Sequence, residues 1–266
     1  MAARREEILK LAQSPEDRTL LSQLLDKRRQ AEQYFRPAST AFLDLRQQAL
    51  CRQAMQAAGG GGWSLEGGFQ QAERRTALFL PDYIEKAEQL APEDWPFRAL
   101  RLQSRGQKPL THRDYLGALM GLGIRRERIG DILPGPQGAD LLVMADIAPY
   151  VVQNLTQAGA SPVSVSLIDL DALEIPEVKV KIIRDTVPSL RLDAVLASAF
   201  SLSRGDAAEA IRRGLVQADG APALKGDRPV AQGVRLSIRG KGKAILAETG
   251  GLSKKGRVNI EIHKLL

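Results

Sequence analysis

The C-terminal third of the chain contains the segment RLDAVLASAFSLSRGDAAEAIRRG, residues 191–214. In its first half, apolar residues recur three and four positions apart, which predicts a helix with one buried face. These residues are Leu192, Val195, Leu196, Ala199 and Phe200. In its second half, Ser201 or Ser203 offers an N-cap for a second helix over about Arg204 to Arg213, which Gly214 ends. We therefore predict a pair of short helices.

The residues that follow the helix pair are typical of strands and turns. Asp219-Gly220 predicts a turn after Leu215-Val216, and the segment VRLSIR, residues 234–239, alternates apolar and polar residues. Such alternation predicts a strand with one buried face. Gly240 and Gly242 add little steric bulk, so Lys241 and Lys243 can come close to a backbone.

The positive charge of the chain is concentrated in this same region. Residues 184–266 contain 15 Lys and Arg against 8 Asp and Glu, a net charge of +7 that equals the net charge of the whole chain. Residues 1–183 are therefore neutral overall. A local excess of positive charge is typical of a module that contacts a phosphate backbone.

The helix pair with its basic strands resembles the S-four domain, the alpha-L RNA-binding motif. The resemblance implies that the second helix and the following hairpin lay basic side chains along an RNA backbone, which is recognised mainly by its shape. The RNA-binding residues predicted in this module are Arg191, Ser203, Arg204, Arg212, Arg213, Lys225, Arg239, Lys241 and Lys243.

Composition argues against several other classes of protein. Aromatic residues make up 5% of the chain, which disfavours base stacking as the main binding device. The single cysteine, Cys51, cannot form an internal disulfide, and with His112 and His263 it cannot build a usual zinc site. No apolar run approaches 18 residues and no secretory signal is recognisable. We therefore expect a cytoplasmic protein with no membrane association, metal or cofactor.

Periodicity and composition predict an α+β fold with several parts. A helical N-terminal region covers residues 1–75, a small α+β domain covers 76–170, a linker covers 171–183, and the S-four domain covers 184–266. In the middle domain we expect the order β-α-β-β-α-β, a sheet that is often found in RNA-binding domains.

Local signals predict several elements of the first two parts. Ser14-Pro15 starts one helix and Asp44 starts another that runs to about Ala58, so that Gly59 to Gly62 forms a loop between helices. In the middle domain we predict strands at 77–80, 97–103, 129–133, 141–145 and 163–168, a helix capped by Thr111, and a helix over 147–158 capped by Asp146. Three arginines at the exit of the first of these helices are candidate nucleic-acid contacts or ordinary surface charge: Arg125, Arg126 and Arg128.

Several separate segments together resemble the YlmH family, bacterial cytoplasmic proteins also called RqcP. The most specific is GLGIRRERIGDI, residues 121–132. The others are FLD at 42–44, GG at 67–68 with AERR at 72–75, TV at 186–187 leading to RLD at 191–193, and SKKGR at 253–257. The resemblance runs from about residue 30 to the C-terminus and implies a helical N-terminal region, a middle RNA-binding domain and a C-terminal S-four domain.

The family resemblance also implies a function and partners. Members bind large ribosomal subunits obstructed by a nascent chain, contact their rRNA, and hold the peptidyl-tRNA while an RqcH-like factor adds an alanine tail. We accordingly expect a monomeric RNA-binding protein in ribosome-associated quality control.

Two alternatives have different sequence requirements. An S-four protein of ribosome assembly or cell division would share the basic module. An RNA-modifying enzyme is disfavoured, because the Arg191-Leu192-Asp193 triplet, similar to that of pseudouridine synthases, opens the S-four helix, where we expect Asp193 to be the cap. The glycine run at 59–62 likewise does not lie between a strand and a helix, as a methyltransferase cofactor loop would. We therefore expect no catalytic residues.

Overall fold

The computed structural model describes residues 2–106, 108–177 and 179–265. The chain forms two compact units, an N-terminal unit of residues 1–176 and a C-terminal unit of residues 177–266. Within the described ranges, no helix combines the length and the apolar character needed to cross a membrane.

The first half of the N-terminal unit packs three helices against a small sheet. The helices are α1 (Ala2–Leu9), α2 (Pro15–Tyr34) and α3 (Leu45–Ala57), and the strands are β1 (Ala38–Leu43), β2 (Trp63–Glu66) and β3 (Arg75–Phe79). The strands are antiparallel in the order β1-β3-β2. The predicted helix starts are confirmed, since Ser14 caps α2 and Asp44 forms a capping box with Gln47 at the start of α3.

The N-terminal region is less purely helical than the sequence predicts. β1 and β2 lie inside the predicted helical segment, and both pair with β3, which crosses the predicted boundary at residue 75. Gly59 to Gly62 consequently joins α3 to β2 and does not lie between two helices. Pairing with a strand more than 30 residues away stabilises β1, and six residues are too few for a clear period in the sequence.

The second half of the N-terminal unit is a five-stranded antiparallel sheet with two helices. Its elements are β4 (Phe97–Ser104), α4 (His112–Gly121), β5 (Ile129–Gly135), β6 (Gly138–Met144), α5 (Ala148–Asn154), β7 (Gln157–Ala158) and β8 (Ser161–Ile168). The strand order is β5-β6-β4-β8-β7. Apart from the two-residue β7, the chain follows the predicted β-α-β-β-α-β order.

The second helix of this sheet domain differs from the prediction. α5 ends at Asn154 because Gln157 and Ala158 pair with β8, and Asp146 does not cap it. The Asp146 carboxylate instead forms an ion pair with Arg128, and residues 145–147 form a 3-10 turn before α5.

The C-terminal unit packs two helices against one face of a six-stranded sheet. Its elements are β9 (Val180–Val187), α6 (Leu192–Phe200), α7 (Arg204–Arg212), β10 (Val216–Ala218), β11 (Ala221–Pro222), β12 (Arg235–Ile238), β13 (Gly242–Leu252) and β14 (Val258–Leu265). The antiparallel strand order is β11-β10-β12-β13-β14-β9. The helix pair, the break at Gly214 and the strand β12 occur where the sequence predicts them.

Two details of this unit correct the sequence-based predictions. Residues 180–183, predicted as linker, belong to β9, an edge strand that pairs along its whole length with β14. Asp193 is not the cap of α6: the cap position is Arg191, and Asp193 lies inside the first turn with its carboxylate turned towards arginine side chains.

Candidate nucleic-acid interface

The helix pair of the C-terminal unit presents its basic residues outwards because its apolar residues fill the core. Leu192, Val195 and Leu196 of α6 are almost fully buried, as are Ala207 and Ile211 of α7. Since helical side chains three and four positions apart share a face, the arginines of α7 are left on the opposite face, where they are exposed.

Ser203 fixes the start of α7. Its hydroxyl accepts a hydrogen bond from the Asp206 backbone N–H at 3.0 Å and donates one to the Asp206 carboxylate at 2.8 Å. Of the two predicted cap residues, Ser203 is therefore the one that caps α7, whereas Ser201 ends α6 in a left-handed conformation with φ 53°. The cap fixes Arg204 as the first residue of α7 and so fixes the point from which its side chain projects.

A first basic group forms around the carboxylate of Asp193. Arg191 donates two hydrogen bonds to it, from Nε to Oδ1 at 3.2 Å and from Nη2 to Oδ2 at 3.0 Å, and Arg204 Nη2 lies 3.4 Å from Oδ2. Partial burial tends to raise the pKa of Asp193, but the hydrogen bond from Arg191 and the charges of Arg191 and Arg204 outweigh it, so that the pKa is lowered. One carboxylate thus orients two cations and leaves a net positive charge.

The loop after β11 adds further cations to this first group. It is joined to the start of α6 by backbone hydrogen bonds, from Leu192 N to Arg228 O at 2.9 Å and from Asp193 N to Gly226 O at 3.0 Å. Lys225, predicted from the sequence, is exposed on this loop. Arg228 is also exposed there and was missed; its position in the same short basic loop as Lys225 was the available signal.

A second basic group lies where the end of α7 meets the β12–β13 turn. The Arg239 backbone N–H donates to Leu215 O at 2.9 Å, which holds the turn beside the residues that follow α7. This group comprises Arg212, Arg213, Arg239, Lys241 and Lys243, all of them exposed. Arg212 also forms an ion pair with Glu209. Gly240 and Gly242 have φ of 83° and 97°, conformations that glycine adopts without strain.

The two groups together contain every basic residue of this module that we predict to contact RNA. Arg204 starts α7 and Arg213 directly follows it, so their backbones are about 14 Å apart at ~1.5 Å per residue. Exposed guanidinium and ammonium groups at this spacing suit a row of phosphates along one backbone.

The three arginines predicted in the N-terminal unit have different surroundings. Arg125 is the most exposed, at 76% of its side chain, and pairs with Glu127 at 3.1 Å. Arg128 is largely covered and pairs with Asp146. Arg126 is half-buried and donates from Nη1 to the carbonyls of Ile129 at 2.6 Å and Gly130 at 3.3 Å.

A polar cluster that the sequence did not predict as a unit surrounds Arg126. The Asp131 carboxylate accepts hydrogen bonds from the backbone N–H groups of Glu73 at 2.6 Å and Arg74 at 3.1 Å, and Arg74 donates to the carbonyls of Ile129 and Phe42, each at 3.0 Å. These bonds join the three-stranded sheet to the five-stranded one.

Burial changes the acidity of the groups in this cluster. Loss of hydration lowers the pKa of Arg126 to about 10, to which repulsion from Arg74 also contributes, and loss of hydration lowers the pKa of Arg74. Burial raises the pKa of Asp131 in spite of its two backbone hydrogen bonds. Burial therefore disfavours the charged forms of these groups, and their hydrogen bonds to backbone groups offset part of that cost.

Comparisons with known proteins identify the family of this chain. Residues 104–172 match the family model described as "Putative RNA-binding domain in YlmH". The chain is 36% identical over 250 residues to "Ribosome-associated protein quality control protein P2" of Bacillus subtilis (strain 168), covering 94% of this chain and 95% of the relative. The structure titled "Cell division protein ylmH from Streptococcus pneumoniae" is similar in fold, with a TM-score of 0.50 and 22% identity over 61% of this chain and 98% of that one. The identity to the Bacillus protein over nearly the whole of both chains establishes that this chain belongs to the YlmH family of RNA-binding proteins.

Proposed function

We propose that this protein binds the large ribosomal subunit in ribosome-associated quality control and stabilises peptidyl-tRNA there while the stalled chain receives an alanine tail. The observation that carries the proposal is the pair of exposed basic groups around α7 and the β12–β13 turn, in a segment with a net charge of +7. The name of the Bacillus subtilis relative supports the quality-control role.

The chemistry of the surface suits folded rRNA and tRNA. Their bases are largely paired, so the accessible and repeated feature is the phosphate backbone. Arginines bind phosphate oxygens in a bidentate manner, and lysines add point charges. Arg191 and Arg204, which Asp193 orients, contribute contacts with restricted geometry.

The same chemistry allows release. Binding that depends on phosphate contacts weakens steeply as salt rises, because each contact displaces condensed counterions. A factor that leaves the ribosome after each stalled chain requires contacts of this reversible kind.

The proposal describes a binding protein and not an enzyme. Asp193, which corresponds to the catalytic aspartate in the similar triplet of pseudouridine synthases, is held here by Arg191 and Arg204 at a helix start. Its partners in our proposal are the rRNA of the large subunit, the peptidyl-tRNA and an RqcH-like tailing factor. It would act as a monomer in the cytoplasm, where ribosomes are found.

Sedimentation through a sucrose gradient tests the proposed ribosomal partner. We expect the tagged protein to travel with free large subunits, and sequencing of the RNA in those fractions should recover tRNA. Travel with immature particles that lack tRNA would instead indicate a role in assembly. Absence from ribosomal fractions at low salt, where phosphate contacts are strongest, would contradict both roles.

A triple variant tests the proposed RNA-binding face. Replacement of Arg204, Arg212 and Arg213 by alanine should weaken the binding of all structured RNAs alike. The plot of log affinity against log salt should become flatter by about one unit per lost phosphate contact.

A charge-matched triple variant is the control. Arg18, Arg36 and Arg52 are exposed in the N-terminal unit, and their replacement by alanine removes the same total charge. We expect that control to keep the wild-type salt slope. If both triple variants behave alike, RNA binding follows total charge and the face is assigned wrongly.

A further inference from the structure

A third basic feature of the C-terminal unit lies outside the two groups around α7. It is the turn between β13 and β14, residues 253–257, which reads SKKGR and which we call the basic hairpin tip. Lys254 and Lys255 are exposed, and neither forms an ion pair within the described part of the chain. Two adjacent ammonium groups therefore face solvent without a compensating carboxylate.

The backbone of the tip is closed by hydrogen bonds. Ser253 N donates to Arg257 O at 2.7 Å, Gly256 N donates to Ser253 O at 2.9 Å, and Arg257 N donates to Ser253 Oγ at 3.1 Å. Gly256 has φ 70°, which fits a glycine at this position. The two lysines thus project from an ordered turn, so little backbone entropy is lost when they bind a partner.

Arg257 anchors the tip to the edge of the sheet without losing its charge. Its Nε donates to Thr186 Oγ1 at 2.9 Å, and its Nη2 donates to the carbonyl oxygen of Thr186. Both acceptors are neutral, so all three cations of the tip contribute to its positive field.

The tip lies at the far end of the sheet from the second basic group. β13 begins at Gly242, next to Lys241, and ends at Leu252, next to the tip. Ten residue steps at about 3.3 Å give a separation of ~33 Å. On the sheet between these ends, Glu248 and Glu261 face each other across the β13–β14 pair, and Glu261 is ion-paired with Arg184.

We propose that the basic hairpin tip is a second phosphate-backbone site, so that the C-terminal unit contacts two separate RNA segments at once. This inference rests on the proposed RNA-binding function. A backbone phosphate suits the tip because two compact ammonium groups beside a fixed guanidinium offer point charges without an apolar pocket. A short RNA bound at the second basic group, ~33 Å from the tip, cannot also reach the tip.

Stoichiometry with a short RNA tests the inference on the full chain. A stem-loop of six RNA base pairs has a stem shorter than about 20 Å, because A-form RNA rises less per pair than the ~3.4 Å of B-form DNA, and it cannot span the distance between the second basic group and the tip. Sedimentation velocity at low salt should find that the variant Lys254→Ala/Lys255→Ala binds one stem-loop fewer than the wild type. Two stem-loops that carry a donor and an acceptor dye should show energy transfer on the wild type, and this transfer should fall in the variant.

A matched control removes the same charge elsewhere. Lys10 and Lys86 are exposed in the N-terminal unit, and the variant Lys10→Ala/Lys86→Ala should keep the wild-type stoichiometry. Because Lys254 and Lys255 are exposed, unchanged thermal unfolding of the tip variant should exclude misfolding as the cause.

The number of bound stem-loops shows whether the tip alone or RNA binding as a whole has been assigned wrongly. If the tip variant binds as many stem-loops as the wild type while the Arg204, Arg212 and Arg213 triple variant binds fewer, the tip is not an RNA site and the proposed function stands. If the wild type binds no stem-loop, both fail. A tip variant that keeps its RNA stoichiometry but no longer binds a poly-glutamate peptide would identify an acidic protein as the partner, which overturns the inference.

Discussion

Arg126 and Arg213, one from each unit, are alike in sequence context and opposite in surroundings. Arg126 of the N-terminal unit is half-buried and donates to two backbone carbonyls, whereas Arg213 of the C-terminal unit is exposed at the end of α7. Both lie in short runs of basic residues near a glycine. The difference teaches that the acceptors a fold supplies decide whether an arginine is available to a partner.

The largest effect that this comparison predicts concerns Asp131. Replacement of Asp131 by alanine leaves two backbone N–H groups without an acceptor beside the buried Arg74, which should cost about 3 kcal/mol of unfolding free energy. Both tryptophans, Trp63 and Trp95, lie in the N-terminal unit, so their fluorescence during denaturation reports on that unit.

Asp146→Ala is the matched control for this experiment. Asp146 also pairs with an arginine, Arg128, but its side chain is 70% exposed, and exposed ion pairs contribute about 0–1 kcal/mol. If Asp131→Ala and Asp146→Ala lower the free energy of unfolding equally, the hydrogen bonds of Asp131 stabilise the unit no more than an exposed ion pair does.

The second prediction compares one arginine from each unit. Arg126→Ala should lower the free energy of unfolding by about 1.5 kcal/mol, since two carbonyls lose a charged donor, and should leave RNA affinity unchanged. Arg213→Ala should leave stability within about 0.5 kcal/mol and reduce the salt slope of RNA binding by about one unit. Denaturation gives the free energy of unfolding of each variant, and RNA titration at several salt concentrations gives its affinity and salt slope.

A loss of RNA binding in Arg126→Ala would support a role of Arg126 as an RNA contact. In the sequence, Arg125, Arg126 and Arg128 are candidate RNA contacts or ordinary surface charge, and they lie within residues 104–172, which match the model "Putative RNA-binding domain in YlmH". If Arg126→Ala also weakens RNA binding, Arg126 combines both roles. Arg125, the most exposed of the three, is the residue at which we expect any RNA effect in this unit.

The third prediction uses the pH dependence of the first basic group. The folded protein holds the pKa of Asp193 below its unfolded value of about 3.9. Asp193 therefore stabilises the fold above that value, and the contribution is lost as pH falls through the folded pKa. Asp193→Asn should destabilise the C-terminal unit by about 1 kcal/mol at pH 7, and this difference should vanish in strong acid.

Amide hydrogen exchange over residues 192–200 measures that difference, because the tryptophans do not report on this unit. Asp82 is exposed and forms no ion pair within the described residues, so Asp82→Asn is the charge-matched control and should leave exchange over residues 192–200 as in the wild type. A constant difference between Asp193→Asn and wild type at every pH would point to packing and not to charge.

The accuracy of the sequence-based predictions follows from whether the decisive signals are local. α6 and α7 were predicted closely because apolar spacing, a serine cap and Gly214 all lie within 24 residues. β1 and β9 were missed because their partners are distant in the sequence, and β9 is an exposed edge strand with little apolar pattern. Strand pairing is a tertiary property that a single short segment does not encode.

The features of the candidate site also divide into those with a local signal in the sequence and those without one. The exposure of the basic residues on α7 and the β12–β13 turn could be predicted, because helical spacing and strand alternation assign their faces. Their role as phosphate contacts is implied by the S-four resemblance and stays a prediction. The acceptors of Arg126, and the two arginines on Asp193, could not be predicted. They depend on backbone carbonyls and on a neighbouring helix that come together only in the fold.

A fourth prediction separates a role in folding from a role in RNA binding at Ser203. The sequence predicts Ser203 as an RNA contact, whereas in the structure its hydroxyl caps α7 through the backbone and carboxylate of Asp206. Ser203→Ala should therefore cost about 1 kcal/mol of stability and change RNA affinity little, because the arginines retain their charge. Ser201→Ala is the control: Ser201 was the alternative cap, it ends α6, and its loss should cost only a few tenths of a kcal/mol. Hydrogen exchange in α7 and RNA titration of both variants distinguish the roles, since a drop in RNA affinity without a loss of protection in Ser203→Ala would make the hydroxyl a direct RNA ligand.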